Sequence, residues 1–209
     1  MGRNQVLTIV RAASAALVMV AIVAQAIELS NNGRLDVTRF FAFFTIQSNL
    51  IGVAAFAWLL LARGLPRSRA FELFRGAAAA YLTVTFFVVI FLLSGVDVGL
   101  QLGWVDFVLH KLFPVVVVLD LILDPPGIRL VYRDALIWLA YPLAWTGLTL
   151  VRGAADGWYP YPFLDPVNGG YGQVLVTAVA ITIGFFVVAL AIVAVSNARG
   201  GEARVPRPA

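Results

Sequence analysis

The chain has no cysteine, one histidine (His110) and one lysine (Lys111) among fifteen basic residues. Without thiols there is no disulfide, no iron–sulfur cluster and no cysteine-ligated zinc. A single imidazole excludes the paired axial histidines of a membrane b-type cytochrome, and one histidine among scattered carboxylates makes no zinc site. Charge is scarce too: 12% of the 209 residues are charged against 61% hydrophobic, and mean hydropathy is +0.92. A water-soluble domain of this length needs far more charge to cover its surface, so lipid is the expected solvent. Lipid demands that every backbone amide be satisfied internally, which leaves helices or a closed barrel.

The apolar runs are continuous rather than alternating, which selects helices. Six stand out: Val6–Ile27, Phe40–Ala62, Phe74–Leu93, Val105–Leu123, Ala135–Val151 and Val174–Ser196. Each is long enough to cross a hydrocarbon core of about 30 Å at about 1.5 Å per residue. The expected fold is therefore all-α, a single bundle of six transmembrane helices. Short connections carry turn formers, such as Asn31-Asn32-Gly33, Gly64-Leu65-Pro66 and Asp124-Pro125-Pro126-Gly127. No internal repeat of the kind common in secondary transporters is evident. Gly99 and Gly103 have GxxxG spacing, a weak signal in a loop.

The formal charge of +4 and pI of about 9.9 do not mark a nucleic-acid binder, because the basic residues sit in short loops. One side of the bundle holds Arg3, Arg63, Arg67, Arg69, Arg75, Arg129, Arg133, Arg199, Arg204 and Arg207; the other holds Arg34, Arg39 and Arg152. That bias places both termini in the cytoplasm of a multi-pass plasma-membrane protein. The excess of arginine, alanine, valine and glycine fits a GC-rich bacterial genome. Arg3, an apolar run and Ala24-Gln25-Ala26 also read as a signal peptide with its cleavage site. The run is long enough to span, so retention as the first helix is expected.

Polar side chains within the spans carry the functional information, since a mid-bilayer charge costs about 2.5–3.5 kcal/mol. Thr45 and His110 each lie roughly 9 Å in from the outer face, with Asn49 one turn deeper than Thr45. Gln25 and Glu28 leave the first helix on that side, and Trp145, Thr149 and Arg152 the fifth. The inner half has little beyond Asp120, Tyr81 and interfacial charges, so a polar cavity opening outward is expected. Thr45, Ser48, Asn49 and Gly52 form one helical stripe; Asp106, His110 and Pro114 another; Tyr141, Trp145, Thr149 and Arg152 a third. Lys111 is placed to snorkel outward. Packing roles remain open for each, since a membrane threonine commonly bonds its own i−4 carbonyl. The loop from Trp158 to Pro166 is either an interfacial aromatic belt or a lid.

The runs Phe43-Phe44-Thr45-Ile46-Gln47-Ser48-Asn49-Leu50, Leu109-His110-Lys111-Leu112-Phe113-Pro114 and Leu119-Asp120 resemble a bacterial six-helix membrane family called Pr-six-Pr. The likeness continues through Tyr141-Pro142, Arg152-Gly153 and Gly157-Trp158-Tyr159-Pro160-Tyr161-Pro162 to Gly172, covering most of the chain. That family is distantly similar to the eukaryotic androgen-induced-gene membrane proteins, threonine hydrolases of lipid esters. The resemblance implies Thr45 as nucleophile and His110 as its partner. Lys111 departs from the family pattern, where a second polar residue is expected after the histidine.

Three functions follow as expectations. The first is an intramembrane hydrolase in which Thr45 attacks an ester carbonyl and His110 takes its proton. Asp106 or Glu28 would fix the imidazole, and Asn49, Gln47 or Arg152 would stabilise the oxyanion, with Ser48 and Trp145 as supporting residues of the same stripes. The second is a non-enzymatic carrier or binding protein for a small amphiphilic ligand, and the third a membrane scaffold. Membrane lipids and an amphiphilic ester are the expected partners; no cofactor, metal or nucleic acid is expected.

Overall fold

The computed structural model describes residues 2–96 and 102–204, with side chains described through residue 199. Gly99 of the GxxxG spacing and Arg207 of the basic tail lie outside the described residues. In chain order the helices are α1 (Arg3–Asn31), α2 (Val37–Ala42), α3 (Phe44–Leu61), α4 (Arg69–Leu92), α5 (Gly103–Phe107), α6 (Phe113–Leu123), α7 (Tyr132–Asp156) and α8 (Gly170–Arg204). A π-helical turn, Val108–Leu112, joins α5 directly to α6. Among the described residues there is no strand. Five helices (α1, α3, α4, α7 and α8) are long and apolar enough to cross a membrane.

Two expected spans are not single α-helices. The run Phe40–Ala62 breaks at Phe43, whose backbone is extended (φ −63°, ψ 127°), although no proline or glycine stands there. The backbone accounting gives the reason. The Phe41 carbonyl, the normal acceptor for the Thr45 amide, takes a bond from Gln47 Nε2 at 2.7 Å, and the Ala42 carbonyl takes one from Trp145 Nε1 at 2.9 Å. The Thr45 amide donates instead to the Tyr161 hydroxyl at 3.3 Å. A loop tyrosine and a tryptophan of α7 thus hold the break open.

The fourth apolar run is interrupted by the π-turn, and Pro114 explains it. With the Phe113 amide donating to the Val108 carbonyl, five residues back, the Leu109 carbonyl would next pair with residue 114. Proline has no N–H to give. The orphaned Leu109 carbonyl is taken by Asn49 Nδ2 of α3 at 3.1 Å. Because that nitrogen also donates to the Thr45 carbonyl at 2.8 Å, Asn49 ties the turn carrying His110 to the start of α3.

The α4 helix packs against α3, α6 and α8, using the buried run Ala77-Ala78-Ala79-Ala80 to allow close approach. Gly52 of α3 serves the same end: a Cβ there would lie 2.7 Å from the Phe113 ring and 2.8 Å from Leu82. The outer surface is apolar. Leu175, Val176, Ile183 and Val187 of α8 each expose more than half their area, a surface poorly suited to water.

The end of the bundle away from α2 is more polar than expected. Arg11, inside the first apolar run, donates through Nε to Asp120 and through Nη2 to Asp124, each at 2.6 Å. Arg75 reaches Glu72 at 3.0 Å and Asp120 at 3.2 Å, and Arg67 bridges Glu72 and Asp124. Arg11, Glu72, Arg75 and Asp120 are all buried. Asp120 and the flanking charges were expected at this end, Arg11 was not: three guanidinium groups face three carboxylates there, tying α1, α4 and α6 together with the loop before α4. Charge balance lets such a cluster stay buried.

Candidate active site

Thr45 occupies the second position of α3, just past the Phe43 break, in the first turn whose amides lack intrahelical acceptors. Its Oγ1 lies 3.1 Å from His110 Nε2, and His110 Nδ1 lies 2.8 Å from Asp106 Oδ1. Lys111 does not simply extend outward: its Nζ donates to the other carboxylate oxygen of Asp106 at 3.0 Å. Thr45 and His110 are both buried, while Asp106 is about one-third exposed.

With a neutral imidazole the proton order follows from groups that can act in one direction only. An ionised Asp106 can only accept, so His110 presents an N–H at Nδ1; in the neutral imidazole that tautomer leaves the Nε2 lone pair facing Thr45. The Thr45 backbone N–H can only donate, so the Tyr161 oxygen accepts it, and the Tyr161 O–H turns to Thr45 Oγ1 at 3.3 Å. The chain of donors runs from Tyr161 to Thr45 to His110, with His110 anchored on Asp106. Tyr161 is buried, and this burial pushes its phenol up; bonding to Thr45 only partly opposes that. The phenol therefore stays protonated as a donor.

Tyr161 reaches Thr45 because the loop after α7 folds over this end of the bundle. Gly157, at φ +71°, ends α7 in the left-handed region and turns the chain back. Gly153 has no Cβ, and the Tyr159 ring packs into the space one would fill. Trp158 lies under two guanidinium groups, Arg39 at 5.2 Å and Arg152 at 5.3 Å. Tyr161 stacks on Phe163 and meets Phe43 edge-on. Through Tyr161 this loop covers Thr45.

The other sequence candidates are placed differently. Gln47 faces away from Thr45, bonded to the Phe41 carbonyl and the Tyr141 hydroxyl. Asn49 binds the Thr45 and Leu109 carbonyls behind the helix, and Ser48 lies between the Thr45 carbonyl and Thr85 Oγ1. Trp145 is spent on the Ala42 carbonyl. Arg152 holds Asp156 and Thr38, and Glu28 accepts from Asn32 at 3.0 Å. The structure thus places Gln47, Asn49 and Arg152 on backbone, helix and loop partners, and it is Asp106, not Glu28, that bonds the imidazole. Tyr161 was missed because its signal lay only in an aromatic, proline-rich loop, with nothing to pair it to residue 45.

Two cavities meet at Thr45 and Tyr161. One of about 80 Å³ is almost wholly apolar, walled by Phe44, Val88, Leu143 and Phe185 among others. The other, about 50 Å³, is reached by Gln25, Leu109 and His110. Val84, Val88, Ile181 and Phe185 line both the first cavity and an open apolar groove of about 460 Å³ between α4 and α8. Among the described residues no group of three or more His, Asp or Glu side chains could hold a metal. No protein-family model, curated protein or solved structure matches the chain.

Proposed function

We propose that this protein is a six-span membrane hydrolase of lipid-like esters, with both termini in the cytoplasm of a bacterial cell and the Thr45 site in the outer half of the bilayer. The observation that carries the reading is the Thr45–His110–Asp106 chain, in which a hydroxyl, an imidazole and an orienting carboxylate stand in hydrogen-bond sequence. The stretch α5–π-turn–α6 is the sixth span, its π-turn excused by Pro114 and Asn49. The resemblance to the bacterial six-helix family, itself distantly similar to threonine hydrolases of lipid esters, points the same way.

In this mechanism an acyl chain enters laterally along the groove between α4 and α8 and lies in the apolar cavity, carbonyl carbon against Thr45 Oγ1. His110 Nε2 takes the threonine proton as Oγ1 attacks, and the carbonyl oxygen becomes an oxyanion. The Tyr161 hydroxyl, turning from Thr45 Oγ1, is the donor for that oxygen. Collapse breaks the ester C–O bond, and imidazolium returns its proton to the leaving alkoxide, releasing the alcohol. A water from the smaller cavity, which exceeds the volume one molecule needs, attacks the acyl-threonine. His110 takes its proton and hands it to Thr45 Oγ1 as the carboxylic acid leaves.

The test is turnover of a medium-chain p-nitrophenyl ester by purified protein in detergent. Thr45→Ala and His110→Ala should each abolish hydrolysis with unchanged melting, and Tyr161→Phe should lower kcat about 10²–10³-fold, as loss of one oxyanion donor does. A fluorophosphonate lipid mimic should label Thr45 in the wild type. Full turnover in Thr45→Ala rules this reading out.

A further inference from the structure

A further cavity, of about 480 Å³, lies at the opposite end of α3, about 24 Å from Thr45 at the helical rise of about 1.5 Å per residue. It opens between the first turns of α1 and the last turn of α3, and Arg11, Arg63, Arg67 and Asp124 all line it. Arg67 spends its donors on Glu72, Asp124 and the Pro125 carbonyl. Arg11 uses Nε and Nη2 on Asp120 and Asp124, which fixes the guanidinium plane and leaves Nη1 without a partner among the described residues. Arg63 is exposed and has no hydrogen bond or ion pair among the described residues.

Charge accounting makes the cavity asymmetric. The three guanidinium groups and three carboxylates of the buried cluster cancel, so Arg63 is a surplus positive charge beside two arginines already held rigid. The same cavity is walled on its other side by Trp58, Leu59, Leu65 and Leu7, and Trp58 and Leu65 are well exposed. Guanidinium forks above an apolar, tryptophan-bearing wall match a phosphate attached to hydrocarbon.

We propose that this cavity binds a phosphate anion, foremost the singly charged phosphodiester of an anionic phospholipid, through Arg63 and the free edge of Arg11. Basic pockets between spanning helices hold lipid headgroups by this chemistry. The proposal does not depend on the ester-hydrolase reading, since no residue of the Thr45 site takes part.

The experiment is thermal melting of the full-length protein in a neutral detergent with four additions: dioctanoyl-phosphatidylglycerol, dioctanoyl-phosphatidylcholine, sodium phosphate and sodium chloride at matched ionic strength. Phosphatidylglycerol should raise Tm saturably, and phosphatidylcholine and chloride should not. Arg63→Gln, a change at an exposed side chain with no contacts to lose, should weaken the effect at least about tenfold in midpoint concentration while leaving the lipid-free Tm in place. Thr45→Ala should respond as the wild type does. A saturable shift with sodium phosphate equal to that with phosphatidylglycerol, also lost in Arg63→Gln, supports the same site with a free phosphate as its occupant. Equal shifts from both phospholipids, no shift from either phosphate source, or an undiminished shift in Arg63→Gln overturns the proposal.

Discussion

Replacing Asn49 by leucine isolates the bond that joins α3 to the π-turn. The leucine matches the amide in size, so the loss is mainly two donations from Nδ2. The Thr45 carbonyl keeps its place in the helix, but the Leu109 carbonyl, denied a partner by Pro114, is left buried and bare. An orphaned buried group costs about 1–3 kcal/mol in soluble proteins, while interhelical bonds in membranes average about 0.6 and reach about 1.7 kcal/mol. Asn49 Oδ1 is itself buried without a partner, so its removal returns part of the loss. The net expectation is destabilisation of about 1 kcal/mol. Pro114→Ala restores an N–H aimed at the Leu109 carbonyl, and in that background Asn49→Leu should cost almost nothing. A double-mutant cycle, followed by unfolding in mixed micelles, reads the coupling directly. A coupling near 1 kcal/mol exceeds the roughly 0.3–0.5 kcal/mol within which independent sites add. Equal losses in both backgrounds would refute the assignment of the π-turn to Pro114 and Asn49.

Asp120→Ala removes the carboxylate that Arg11 and Arg75 share but leaves them Asp124 and Glu72, so a loss of about 1.5–3 kcal/mol is expected in the same unfolding assay; a loss below about 1 kcal/mol would mean the shared carboxylate contributes little. Burial alone would raise the Asp124 carboxyl, but the bond from Arg11 and the charges of Arg75 and Arg67 outweigh it and hold it below its ordinary value. A depressed folded-state value means stability that is fully present above the unfolded carboxylate range, about pH 4, and lost as pH falls through the folded value. Tm should hold steady from pH 7 to about pH 5 and drop below about pH 4, and Asp124→Asn should flatten that drop.

Much of this was legible in the residues. Continuous apolar runs drew out the long helices, because hydropathy is a local property. The i, i+4 spacing of Asp106 and His110 put both on one face, and the matching depths of Thr45 and His110 brought them level. What escaped was set by partners distant in sequence. Nothing near Phe43 marks a break, since the groups that open it are Trp145 and Tyr161, more than a hundred residues on. Asn49 stood out for its depth, but its bond to the Leu109 carbonyl freed by Pro114 could not be read from that. Arg11 hides in an apolar run because its counter-ions, Asp120 and Asp124, come from α6 and its cap.

That last pairing has a consequence for synthesis. On the membrane reading, α1 must be accommodated in lipid while its guanidinium has no counter-ion, because Asp120 lies 109 residues downstream. At about 5–20 residues per second of elongation, the gap lasts roughly 5–20 s. During that interval the nascent α1 either keeps Arg11 at the headgroup level or is shielded by the insertion machinery. The finished bundle closes only when α6 arrives to draw the arginine inward.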